Sequence, residues 1–248
     1  MLTGVLVYAI SGAGCNKKNE DAGDQVTDYM NLQLGKYVIY RLDSLTFVDR
    51  GQKDTISSYQ AKDVVEGSVT DNLGRPGWRI VRYLRDVNST DEDAWKPKLT
   101  YQVTPTRGTL EVIESNLRYL KLNYPIKEEV TWKGNTYLPD NPYIDLYPFS
   151  NDEDIQTWDY TYQDAGASIT LGNKTYDSTV TVLQAADSTN LPITAGIPAS
   201  KTLWVETYAR NIGLIYKEVE MWEYQPATST QSAYKQGFGI KLTILDHN

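Results

Sequence analysis

Near its C-terminus the sequence reads Thr202-Leu-Trp-Val-Glu-Thr-Tyr-Ala209, then Arg210-Asn211, then Ile212-Gly-Leu-Ile-Tyr-Lys-Glu-Val-Glu-Met-Trp-Glu-Tyr224. Apolar and polar residues alternate along both runs, and β-branched and aromatic residues are frequent, as in half-buried strands. A last run, Gly237-Phe-Gly-Ile-Lys-Leu-Thr-Ile-Leu245, has a similar pattern. The C-terminal third is therefore predicted to be antiparallel β-sheet.

Runs of the same kind occur throughout the rest of the chain. They lie at residues 36–43, 78–85, 99–104, 109–114, 117–122, 130–137, 159–162, 168–171 and 176–183. Gly172-Asn173 precedes the last of them and indicates a hairpin turn. The pattern contains no long amphipathic helix and no linker-like boundary after Thr27. We expect an all-β fold, an antiparallel meander of about a dozen strands in a single domain.

Composition excludes several classes of function. The net charge of −8 provides no basic face for phosphate, so nucleic acid is not expected as a partner. The only histidine, His247, lies next to the chain end, where a general base or metal ligand is poorly held. Catalytic triads and zinc sites built from cysteine and histidine are therefore not expected, nor is any cofactor. Paired carboxylates remain open, because a glycosidase needs only two placed acids.

The only cysteine, Cys15, follows a short apolar stretch and two small residues, Ala13-Gly14. This arrangement resembles a bacterial lipoprotein signal, although no lysine or arginine precedes Cys15 and Gly12 occupies a position that is usually aliphatic. The resemblance implies a signal segment at 1–14, a lipid anchor on Cys15, a flexible tether at 15–27 and a single antiparallel β domain at 28–248. The alternative is an apolar first strand with an incidental cysteine.

A second resemblance rests on Tyr208-Ala-Arg-Asn-Ile-Gly-Leu-Ile-Tyr-Lys-Glu218 and on the terminal Gly237-Phe-Gly-Ile-Lys241. Together these segments look like the end of uncharacterised Bacteroidota lipoproteins of the outer membrane. The resemblance implies a single strongly curved antiparallel sheet, a half-barrel or open barrel similar to bacterial lipoprotein carriers. It also implies a protein of the cell envelope, anchored to the outer membrane on its periplasmic or surface side.

These observations favour a non-enzymatic, lipid-anchored module that binds a hydrophobic ligand, a glycan or an envelope protein. The alternatives are a carbohydrate-active enzyme with paired carboxylates and a structural or adhesive envelope subunit. The segment Asn141-Pro-Tyr-Ile-Asp-Leu-Tyr-Pro-Phe149 is apolar and stiffened by prolines, and we expect it to cap the open side of the sheet. The binding surface is assigned to six aromatic residues: Trp95, Trp132, Tyr143, Tyr147, Phe149 and Trp158.

Overall fold

A computed structural model describes residues 24–248 and shows twelve strands. They are β1 Tyr37–Val48, β2 Lys53–Thr70, β3 Pro76–Asp86, β4 Lys96–Pro105, β5 Thr109–Glu114, β6 Leu117–Asn123, β7 Thr131–Trp132, β8 Tyr160–Leu171, β9 Lys174–Thr189, β10 Ala199–Ala209, β11 Gly213–Gln225 and β12 Tyr234–His247. Three short 3-10 turns complete the regular structure, at Val26–Tyr29, Glu92–Ala94 and Ile155–Thr157.

All twelve strands belong to one antiparallel sheet with the order β6-β5-β4-β3-β2-β1-β12-β11-β10-β9-β8-β7. Each strand pairs with its neighbour in sequence, except where β1 pairs with β12 and joins the two halves of the chain. The sheet curls into a nearly closed barrel. The predicted all-β fold, with a single strongly curved antiparallel sheet and little helix, is confirmed.

Backbone and side-chain hydrogen bonds together close the seam between the two end strands, β6 and β7. The amide of Leu120 donates to the carbonyl of Gly134 at 2.8 Å, and the indole N–H of Trp132 donates to the carbonyl of Leu120 at 2.8 Å. Further along, the hydroxyl of Tyr162 accepts from the amide of Asn123 and donates to its carbonyl. Trp132 and Tyr162 thus replace part of the ladder that a longer β7 would supply.

The strand predictions agree with the structure except at three places. β2 was not predicted, because its inward positions Ala61, Asp63 and Val65 do not form an apolar stripe. The run at 130–137 forms only the two residues of β7 and then turns. The runs at 159–162 and 168–171 are one strand, β8, interrupted by a register shift where Asp164 and Gly166 have positive φ.

The barrel interior is layered. At one end Trp204, Val219 and Met221 pack against Phe149 and Ile155 of residues 138–158, which we call the cap loop. Below the cap loop the inward side chains are charged, and below those lies an apolar region that contains a cavity. Strand alternation produces these layers, because Trp204, Glu206 and Tyr208 follow one another on the inner face of β10.

The first described residues cross the end of the barrel opposite the cap loop. Val26 and Tyr29 are buried, and Asp24 and Asp28 form ion pairs with Arg210. The described part of the predicted tether, residues 24–27, thus packs on the barrel. The predicted signal segment at 1–14 and Cys15 lie outside the described residues.

Candidate functional site

The barrel encloses a cavity of about 140 Å³. Its apolar wall comes from both halves of the sheet and includes Val38, Ile80, Val103, Val112, Leu214 and Leu242. It reaches the surface beside Asn31, Lys36 and Asn248. An apolar void of this size is comparable to engineered cavities of about 150 Å³ that stay dry and take up benzene.

One polar cluster in the cavity wall is centred on Asp63, whose carboxylate accepts hydrogen bonds from two neighbouring side chains. Arg82 on β3 donates to both carboxylate oxygens of Asp63 on β2, each at 2.6 Å, and the hydroxyl of Tyr101 on β4 adds a third bond at 2.9 Å. The Asp63 and Arg82 side chains are only 7% and 12% exposed. Burial and the nearby carboxylate raise the pKa of Tyr101 well above its ordinary value, so its hydroxyl stays a donor.

A second polar cluster, centred on Glu206, lies between the cavity and the cap loop. Lys121 reaches across the barrel from β6 and donates to Glu206 at 2.8 Å. Lys217 on β11 lies 3.3 Å from the same oxygen, and the hydroxyl of Tyr208 donates to the other oxygen at 2.8 Å. Two cations therefore share one carboxylate that is almost fully buried.

The pKa of Glu206 follows from these contacts. Burial by itself would raise it, but the charges of Lys121 and Lys217, with the hydrogen bonds from Lys121 and Tyr208, hold the pKa at about 2. Burial lowers the pKa of Lys121, against the attraction of Glu206. The lowered pKa of Glu206 decides the charge state of this pair, since that carboxylate has two cationic neighbours. Glu206 is therefore ionised at neutral pH.

Two charged side chains that line the cavity have no such partner among residues 24–248. Glu114, on the inner face of β5 beside Val112, has neither a hydrogen bond nor an ion pair with a described side chain. Lys36, at the mouth of the cavity, likewise has no side-chain partner there. Both are half-buried; Glu114 faces the cavity from β5, whereas Lys36 lies where the cavity meets solvent.

None of the six predicted binding residues lines this cavity. Trp95 stacks against Arg85 on the outer face, with the guanidinium 4.2 Å from the ring centroid. Trp132 closes the seam between β6 and β7. The other four predicted residues belong to the cap loop: Tyr143, Tyr147, Phe149 and Trp158. Their assignment as a binding surface stays a prediction.

The cap loop packs over the sheet, as its prolines and aromatic residues led us to expect. Tyr147 stacks between Phe149 and Phe238, with ring centroids 5.6 and 5.4 Å away. Tyr143 meets Trp204 and Phe238 on strands β10 and β12. Polar contacts fix the loop further, since the amide and hydroxyl of Ser150 both donate to the carboxylate of Glu223 at 2.7 Å.

Sequence reasoning missed the charged interior, although a signal for it was present. Glu206 lies two residues from Trp204 and from Tyr208, so the strand period places it on their face. Lys121 sits between Leu120 and Leu122, but the β5–β6 pairing shifts register at this residue, which disturbs the simple alternation. No single-strand pattern shows that Lys121 and Glu206, 85 positions apart, meet across the barrel.

Outside the barrel, a larger but more open groove of about 270 Å³ runs over β1, β11 and β12. Half of its lining residues are charged, among them Arg41, Asp43, Glu218 and Lys241, and of these Arg41 already pairs with Asp43 and Lys241 with Glu218. We regard the interior cavity as the better ligand site because it combines apolar walls with a few unpaired charges.

Within residues 24–248, no group of three or more histidine, cysteine, aspartate and glutamate side chains is arranged to hold a metal ion. No helix in that same range is long and apolar enough to cross a membrane.

No family model and no curated protein matches this chain. Among solved structures it is similar to the crystal structure of a domain from Vibrio parahaemolyticus that is assigned to outer membrane lipoprotein sorting. The two chains are 13% identical, the alignment covers 86% of this chain and 85% of that one, and the TM-score is 0.21. A similarity of this strength does not transfer a function.

Proposed function

We propose that this chain is a non-enzymatic binding module that holds a hydrophobic ligand inside its barrel. The observation that carries the proposal is the apolar cavity of about 140 Å³, enclosed by strands from both halves of the sheet. Ligand sites are typically concave and mostly apolar, with a small number of polar groups that fix orientation. The cavity has this composition.

The layered interior supports a permanent cavity rather than a packing defect. The Glu206 cluster fixes the wall on the side of the cap loop, and the Asp63–Arg82 pair fixes it on β2 and β3. Buried ion pairs hold their side chains in one geometry because breaking them leaves an uncompensated charge. On these two sides of the cavity the wall cannot move inward without breaking one of these pairs.

The envelope location in this proposal rests on the sequence. A lipid on Cys15 would anchor the barrel to the outer membrane, on its periplasmic or surface side, and the hydrophobic ligand would then be a component of that envelope. A glycan or an envelope protein is the alternative ligand, and it would bind the outer aromatic positions such as Trp95 instead of the cavity.

A carbohydrate-active enzyme with paired carboxylates is less well supported. Such an enzyme needs one acid with a raised pKa to protonate the leaving group. In the cavity Glu206 has a lowered pKa and Asp63 is held by Arg82 and Tyr101. Burial raises the pKa of Asp152, but this residue lies in the cap loop, where the amide of Tyr143 donates to it.

The proposal is tested by filling the cavity. Val112 lines it, whereas Ile113, the next residue on β5, alternates to the outer face. Toluene, an apolar probe without a head group, should bind the wild-type protein in calorimetry. We expect Val112→Phe to weaken toluene binding by about tenfold or more, and Ile113→Phe to leave it unchanged.

Urea unfolding of both variants shows whether each remains folded. A folded Val112→Phe protein that binds toluene like the wild type would place the site elsewhere, and a wild-type protein that binds no toluene would refute the proposal.

A further inference from the structure

Among residues 24–248, Glu114 is the one carboxylate of the cavity wall that has no hydrogen bond or ion pair with another side chain, although the charges of Arg82 and Lys121 act on it at longer range. Of the three acidic side chains that line the cavity, Asp63 accepts three hydrogen bonds and Glu206 is held by Lys121, Lys217 and Tyr208. Glu114 accepts none from a described side chain. A carboxylate accepts hydrogen bonds and donates none when it is ionised, so its free lone pairs seek a donor.

We propose that the ligand of the barrel is an amphiphile whose polar end donates hydrogen bonds to Glu114, a hydroxyl or an amine, while its apolar part fills the cavity. This inference rests on the function proposed above and specifies the chemistry of its ligand. A carboxylate head group is disfavoured at Glu114 because two carboxylates side by side repel each other.

The cations of the wall do not reverse this preference. The Arg82 guanidinium donates to both oxygens of Asp63, and Lys121 donates to Glu206. The ammonium of Lys217 also faces Glu206, 3.3 Å away. Lys36, at the mouth, lies where the cavity meets solvent, so water screens its charge.

Three amphiphiles with the same eight-carbon chain test the head group: octan-1-ol, octylamine and octanoate. Each is titrated calorimetrically into the wild-type protein near neutral pH, with toluene as the probe that has no head group. We expect the alcohol and the amine to bind at least about tenfold more tightly than the carboxylate, since one charge-assisted hydrogen bond is gained and one repulsion avoided. The ratio of the affinities for octan-1-ol and octylamine identifies which donor the site prefers.

Glu114→Gln removes the charge and adds an amide donor, so it should abolish the preference and strengthen octanoate binding. The matched control is Glu153→Gln, which removes the same charge from an exposed position in the cap loop. It should leave all three affinities unchanged.

The outcomes separate the two proposals. Equal affinities for the three head groups, or tighter binding of octanoate, would overturn the inference about Glu114 while toluene binding upheld the cavity as a ligand site. A preference for donors that survives in Glu114→Gln would also overturn it. Failure of toluene to bind the wild-type protein would refute the proposed function itself.

Discussion

At the scale of single residues, the interior of this barrel depends on Glu206. Its carboxylate is the shared counter-ion of Lys121 and Lys217, and it separates the cap loop from the cavity. Removing one partner of a buried ion pair typically costs about 3–5 kcal/mol, because the remaining charge is left without compensation. Glu206→Gln leaves two ammonium groups without their counter-ion.

We therefore expect Glu206→Gln to lower the free energy of unfolding at neutral pH by about 3–5 kcal/mol in urea titrations. The control is Glu220→Gln on the same strand pair, where the partly exposed pair with Lys201 should contribute less than about 1 kcal/mol. Equal effects of the two substitutions would contradict the role assigned to Glu206.

The lowered pKa of Glu206 fixes the direction in which the free energy of unfolding changes with pH. The folded pKa of Glu206, about 2, lies below its ordinary value of 4.5, so the folded state binds this proton less readily than the unfolded chain. The associated stability is present above about pH 4.5 and is lost as the pH falls toward 2, a change of about 3 kcal/mol. Glu206→Gln should lose this part of the acid sensitivity.

At the scale of elements, the cap loop shows what sequence can predict and what it leaves open. Prolines and aromatic residues at 141–149 correctly predicted a loop that packs over the sheet. The same residues are also predicted to form a binding surface, because aromatic side chains suit both roles. The contacts of Phe149 with Tyr147 and the barrel show the packing role, and the binding role stays a prediction.

The strands likewise include some that the sequence predicts and others that it does not. β5 was predicted with its observed bounds because apolar residues alternate over a short hairpin. β2 was missed although it has 18 residues and lies near the middle of the sheet. Its inward Asp63 is neutralised by Arg82 on β3, and a partner on another strand is invisible in one segment's pattern.

The prediction for the cap loop concerns Phe149. This ring is only 4% exposed and packs on Tyr147, so Phe149→Ala should cost about 3–5 kcal/mol in urea unfolding and hasten proteolytic cleavage within residues 138–158. Leu146→Ala, at a side chain that is 72% exposed in the same loop, should change stability little. If Phe149→Ala left stability unchanged but abolished ligand binding, the ring would belong to a binding surface instead.

At the scale of the whole molecule, contacts between segments far apart in the sequence hold the two halves of the sheet together. The β1–β12 pairing joins the first and last strands, and the Lys121–Glu206 ion pair joins β6 to β10 through the interior. Neither half of the sheet can bury its inner face without the other, since the apolar clusters draw residues from both halves. This arrangement favours a single cooperative unit.

We expect the barrel to unfold in one step. Hydrogen exchange followed by mass spectrometry over a series of urea concentrations reports peptides from β2 and β3 separately from those of β9 and β10. Both groups should show the same free energy of opening and the same urea dependence, because loss of the β1–β12 ladder exposes both inner faces together. A lower opening free energy confined to one half would show that β1–β6 and β7–β12 are separate folding units that merely share an edge.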